Sequence, residues 1–172
     1  MAVDGRVVAA TTLTISPRSR GGERLAEIRA RLAEFVAPWG AARAAAIEGP
    51  SLRSVHREYD LGEGSGAIRS LVYELARIEM IVVPPTSLKK YATGNSAADK
   101  GVMVAYAVRD YGLSLSEDED DAADAAHLAH LAYSLTWPSR PATRHAAEVL
   151  QGLRAPARPK TRTKRIDQRH NI

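Results

Sequence analysis

Residues 80–112 read MIVVPPTSLKKYATGNSAADKGVMVAYAVRDYG. Met80–Val83 is a short apolar run of the kind that forms a buried strand, and Pro84-Pro85 stops it. Thr86–Thr93 carries Lys89 and Lys90. Gly94-Asn95 makes a turn. Ser96 with Asp99 forms a capping box for a helix that runs to about Tyr111 and ends at Gly112. A strand, a connection and a capped helix in this order imply an α/β chain.

The rest of the chain fits that pattern. Asp4-Gly5 is a two-residue hairpin signal, since both positions tolerate positive φ. Arg6–Ile15, RVVAATTLTI, is rich in β-branched residues and reads as a long strand. Only Met1–Val3 precede the turn, so the hairpin begins inside an element. Ser16–Gly22 is a polar loop. Glu23–Val36 repeats Leu25, Ile28, Leu32 and Phe35/Val36 at helical spacing, and Pro38 and Gly40 end it. Ala41–Ile47 is a short run of small residues that forms a buried strand, with Glu48-Gly49-Pro50 at its end. Ser51–Ser65, polar and glycine-containing, reads as a loop. Gly66–Glu79 places Ile68, Leu71, Val72, Leu75 and Ile78 on one helical stripe. Ser116–Thr136 is a helix with an acidic first turn. Pro141–Leu153 is a shorter helix, with Ser139 as its cap. No internal repeat occurs. The alternation of strands and helices implies a three-layer fold in which helices cover a sheet of about three visible strands.

Composition bounds the rest. The 172 residues suffice for one domain with a core, and 45% of them are apolar. There is no cysteine, which excludes disulfides and thiolate metal sites and is consistent with a cytoplasmic setting. No apolar run approaches the ~20 residues of a membrane span, and the first residues do not form a signal peptide. Charge is uneven. Residues 154–172 carry seven Lys or Arg against one acid, whereas the preceding 153 carry 17 basic and 19 acidic side chains. We therefore divide the chain into a domain, 1–153, and a basic tail, 154–172. The tail residues Arg158, Lys160, Arg162, Lys164 and Arg165 suit a mobile arm that meets a polyanion such as nucleic acid. Alternatively, they form a solubilising terminus.

The candidate site residues are mostly acidic. Glu48 ends an otherwise apolar strand, and ligands of open α/β sheets gather at such carboxyl ends; an acid there can also merely cap the next turn. Residues 120–133 read DDAADAAHLAHLAY. Asp121 and Asp124 stand three apart, which puts two carboxylates on one helix face among alanines. Their repulsion and desolvation would be relieved by a divalent cation. The run 117–121 also answers the helix dipole at a solvated N-terminus, but Asp124 lies a full turn further in. His127 reads as a ligand, a general base or a satisfied structural histidine, and His130 has less claim. Lys89 and Lys100 flank the Gly94-Asn95 turn. Lys100 sits in a first helical turn, where the dipole disfavours a cation, so a phosphate ligand or a plain surface lysine are both consistent with it.

Three ordered segments resemble the RuvC family of Holliday junction resolvases. AAAIEGP (44–50) is like the family's strand ending in Ile-Glu. VVPPTSLKKYATGNSAADKGVMV (82–104) looks like its strand, lysine-bearing segment, Gly turn and Ala-x-x-Lys helix start. DDAADAAHLAHLAY is close to its Asp-Ala-Ala-Asp-Ala helix. The resemblance covers roughly residues 1–136. It implies a ribonuclease H-like three-layer α/β fold with a mixed sheet. It also implies a structure-selective endonuclease that resolves four-way DNA junctions by two-metal phosphodiester hydrolysis. Glu48, Asp121 and Asp124 would hold Mg²⁺ (or Mn²⁺), Lys100 and Lys89 would act near the scissile phosphate, and Lys90 and the tail would contact DNA. The helix over 66–79 would support a homodimer, in the cytoplasm of a bacterial or phage-infected cell. The family begins with an aspartate-bearing strand that has no counterpart before the Asp4-Gly5 turn, so its N-terminal strands are expected to be truncated. That leaves two expectations: an active enzyme whose start lies upstream, or a junction-binding protein whose catalysis is impaired.

Overall fold

The computed structural model describes residues 2–3, 6–7, 12–39, 42–49, 58–137 and 143–154. The described elements are β1 (Ala2–Val3), β2 (Arg6–Val7), α1 (Gly21–Val36), a 3₁₀ turn (Ala37–Trp39), β3 (Ala46–Glu48), α2 (Glu58–Ala76), β4 (Ile81–Val83), α3 (Pro85–Thr93), α4 (Lys100–Tyr111), α5 (Asp120–Thr136) and α6 (Arg144–Arg154). The architecture is a mostly helical α/β arrangement.

The described strands form two separate pairs. β1 and β2 are antiparallel, with Val3 opposite Arg6, the register a two-residue connection requires. Arg6–Ile15 was expected to be one long strand. Among the described residues only Arg6–Val7 is strand, and Thr12–Ile15 is irregular. Those residues lie alongside no described strand, so their β-branched side chains have no ladder to join. β3 and β4 are parallel, with Glu48 opposite Val83. The Gly49 N–H donates to the Val83 carbonyl at 2.8 Å and extends the pairing past Glu48. Parallel strands need a crossover, and α2 lies in that connection.

α2 begins at Glu58, inside the expected loop 51–65, and runs through Gly62, Gly64 and Gly66. Glycine disfavours helix by about 1 kcal/mol per residue, which is why the segment reads as loop. Packing against α1 compensates: a Cβ on Gly64 would lie 4.0 Å from Ile28 Cδ1, and Arg29 on α1 pairs with Glu74 on α2 at 2.6 Å. Of the expected apolar stripe, Leu71 is buried and Ile68 and Val72 half-buried, but Leu75 is exposed. The helix stops at Ala76, and Arg77 takes a left-handed φ of 56°.

Thr86–Thr93 is helical, which the sequence did not reveal. Pro84-Pro85 looks like a strand stop, but proline at a helix's first position is favourable because its missing N–H has no role there. α3 ends at Gly94, φ 82°, whose N–H donates to Lys90 O. The capping box was expected to begin at Ser96. Instead Asn95 Oδ1 accepts the Ala97 N–H in a local turn, and Asp99 is itself the cap, accepting the Val102 N–H at 2.9 Å. α5 likewise starts at Asp120, not Ser116, because Glu119 turns back to take the Ser116 N–H and hydroxyl. α6 starts at Arg144 with Thr143 Oγ1 accepting the Ala146 N–H; the expected cap Ser139 and Pro141 lie outside the described residues.

The core lies where α3, α4, α5 and α6 meet β4. Val83, Leu88, Met103, Leu131, Val149 and Leu150 pack there. Alanines at 107, 122, 123 and 126 are buried. Small side chains let α4 and α5 approach closely, so the alanine-rich composition is spent in this seam. Among the described residues no helix is long and apolar enough to cross a membrane.

Candidate functional site

β3 delivers Glu48 to the carboxyl end of the parallel pair, and Gly49 follows it, still bonded to Val83. A Cβ at Gly49 would sit 3.2 Å from Val82 Cγ1, so a small residue belongs after Glu48. The N-terminal turns of α5 present Asp120, Asp121 and Asp124 toward the same region. These groups lie within electrostatic reach of one another. Burial pushes the Asp124 carboxyl up to about 6, and the charges of Glu48, Asp120 and Asp121 push the same way, while Lys89 opposes them. Burial also raises Glu48; Lys89 lowers it and Asp121 raises it further.

Tertiary packing thus joins Glu48, Asp121, Asp124 and Lys89, which the sequence places on three separate elements. Asp124 is half-buried and Asp121 exposed, in keeping with their different depths along α5. Lys100 also belongs to this centre. Its ammonium pairs with Asp120 across the α4–α5 seam, and Asp121 and Asp124 add to the field that raises it.

Lys90 points elsewhere. Its ammonium pairs with Glu148 at 2.9 Å, and Arg144 joins the same carboxylate at 3.1 Å, tying α3 to α6. One residue of rotation, about 100° on a helix, separates it from Lys89. The tail residues Arg158, Lys160, Arg162, Lys164 and Arg165 lie outside the described residues.

His127 is fully buried and structural in its contacts. Nε2 lies 3.1 Å from the Met103 carbonyl, and Nδ1 lies 3.0 Å from the Tyr111 hydroxyl. A carbonyl only accepts, so Nε2 carries the proton and Nδ1 accepts from Tyr111. Burial lowers its basicity and keeps it neutral. His130 bonds Tyr91 through Nδ1 at 2.8 Å and packs on Tyr111.

Asp120 is the residue the sequence reading missed, because it was grouped with the dipole-facing acids. Its signal was present: Asp120 and Asp124 stand four apart, which shares a helix face as well as a spacing of three does.

Carboxylate oxygens are the donors a hard divalent cation such as Mg²⁺ takes, and mutual repulsion plus burial is the cost such an ion relieves. The donor set fits in kind. In position it is more open: among the described residues no three His, Asp or Glu side chains gather closely enough to hold a metal ion.

No family model matches the chain, and no curated protein matches it. Solved structures do. The chain is similar to the Thermus thermophilus RuvC structure, at 22% identity with a TM-score of 0.60, over 74% of this chain and 79% of that one. It is also similar to T. thermophilus RuvC in complex with Holliday junction substrate, at 22% identity with a TM-score of 0.62, over 75% and 79%. The fold of this chain is therefore RuvC-like.

Proposed function

We propose that this chain is a metal-dependent, structure-selective endonuclease for four-way DNA junctions, on a ribonuclease H-like version of its fold. The observation that carries this reading is that Glu48, at the carboxyl end of the parallel strand pair, lies within electrostatic reach of Asp121 and Asp124 on α5 and of Lys89 on α3. The similar T. thermophilus protein has been solved with a Holliday junction, which supports branched DNA as the substrate class.

Glu48, Asp121 and Asp124 would hold Mg²⁺ or Mn²⁺. The ion would activate water and stabilise charge on the scissile phosphate. Lys89 and Lys100 would neutralise the phosphate that approaches the acids. Lys90 is engaged by Glu148, so a DNA contact there would require breaking that pair. The basic tail would add salt-sensitive affinity, and a homodimer would offer one acidic centre to each of two strands.

The test is cleavage of a labelled four-way junction in Mg²⁺ and Mn²⁺. Asp124→Asn should abolish cleavage and spare junction binding. Full cleavage by that variant would refute the assignment.

A second reading is a junction-binding protein without cleavage. The openness of the acidic centre favours it, since no three donors converge among the described residues. Tight junction binding by the wild type with no cleavage in either metal would decide for it.

A further inference from the structure

We propose that Asp120 is a positioning residue whose carboxylate holds the Lys100 ammonium beside Asp121 and Asp124 at the N-terminal turns of α5. The inference rests on the nuclease reading and assigns the acidic centre a fourth carboxylate with a different task.

The geometry sets the roles of the two partners. Lys100 is the first residue of α4, at the positive end of that helix's dipole. Its side chain is 78% exposed, so packing does not fix its flexible stem. The neighbouring carboxylate of Asp99 is occupied in capping Val102. The acid that engages Lys100 comes from α5: Asp120, whose side chain is only 18% exposed. Asp120 is therefore the fixed partner and Lys100 the mobile one. Asp120 opens α5, where the dipole favours an acid, and Asp124 follows it by one turn on the same face. An ammonium docked on Asp120 consequently lies at the helix turn that carries Asp121 and leads to Asp124, and both charges raise it. Exposed ion pairs contribute little to stability, so the pair's consequence lies in placement.

The experiment uses the full chain, a four-way junction and Mg²⁺. Cleavage rate, junction affinity and melting temperature are measured for wild type, Asp120→Asn, Asp120→Glu, Lys100→Met and the double variant Asp120→Asn/Lys100→Met. A misplaced catalytic group can lose on the order of a hundredfold in rate, so Asp120→Asn should cleave roughly 10–100-fold more slowly. Its junction affinity and melting temperature should hold. Asp120→Glu should restore part of the rate, and the double variant should be no slower than Lys100→Met alone. A wild-type or faster rate in Asp120→Asn would overturn the proposal, the latter showing that Asp120 sequesters Lys100. So would additive losses, or a rate that falls only as the melting temperature falls.

A second readout does not need activity. The Lys100 ammonium protons, followed by ¹⁵N NMR, should exchange more slowly in the wild type than in Asp120→Asn. A wild type that does not cleave while showing this protection would defeat the nuclease reading and leave the ion pair established. Equal exchange in both would defeat the positioning role itself.

Discussion

Tyr111 on α4 and His127 on α5 share a 3.0 Å hydrogen bond, and the same imidazole reaches the Met103 carbonyl at 3.1 Å. One buried side chain thereby links α4 at two points, one turn beyond Asp124. The acids of α5 and Lys100 of α4 owe their relative positions to this seam.

Replacing His127 by Leu would keep the volume roughly constant, leave the Tyr111 hydroxyl without its partner and take a second bond from the Met103 carbonyl, which keeps its helical one. An unsatisfied buried group costs about 1–3 kcal/mol, so a loss of about 1–3 kcal/mol is expected in urea unfolding. The wild type should also weaken in acid. Burial depresses the folded-state basicity of both His127 and His130 from the ordinary 6.5. The unfolded chain therefore binds protons first, and stability is full above the unfolded value and falls as pH drops below it. Because Asp124 shifts the same window in the opposite sense, the profile is compared in the Asp124→Asn background, where stability flat from pH 7 to 5 would contradict the buried, neutral assignment.

Asp124 works in the opposite sense. Its carboxyl is raised from 3.8 to about 6 in the folded protein. The stability linked to its proton is fully present below the unfolded value and lost as pH rises through about 6. At pH 7 without divalent cations, Asp124→Asn should therefore be more stable than wild type by about 1 kcal/mol, after discounting for partial solvent screening. That is about 2–4 °C in melting temperature for a chain of this size. A lower melting temperature would show that the charge is compensated, and a shrinking difference on adding Mg²⁺ would show what compensates it.

Two glycines should respond with opposite signs. Gly94 has φ 82°, and a Cβ there would stand 3.2 Å from His145 Nδ1. Gly94→Ala should lose about 1–2 kcal/mol from the left-handed conformation alone, with the contact adding to it. Gly62 lies inside α2 with nothing within 4 Å of its Cβ position. Gly62→Ala should gain about 0.5–1 kcal/mol. Thermal melts of the two variants give the comparison, and a destabilised Gly62→Ala would place an unseen neighbour against that face.

The chain's local chemistry was legible where one element decides it. The Glu23–Val36 periodicity gave α1 nearly intact, and Gly112 marked the end of α4 by its φ preference. Asp99 was recognised as part of a cap, although its exact role was assigned to Ser96. Where local signals conflict with tertiary packing, the reading failed. The glycines of α2 hid a helix that α1 stabilises, and Pro84-Pro85 hid the start of α3.

The sequence by itself determined that α5 carries carboxylates three and four residues apart, because helical periodicity alone puts them on one face. It also determined that Glu48 ends a strand, since apolar residues precede it and a glycine and a proline follow. Only the tertiary structure decided that these acids share a field, that Lys89 faces them while Lys90 pairs with Glu148, and that Lys100 answers to Asp120. The reason is that charges on different elements have no fixed relation along the chain. Their distances are set by how β3 pairs with β4 and how closely the alanines of α4 and α5 let the two helices approach.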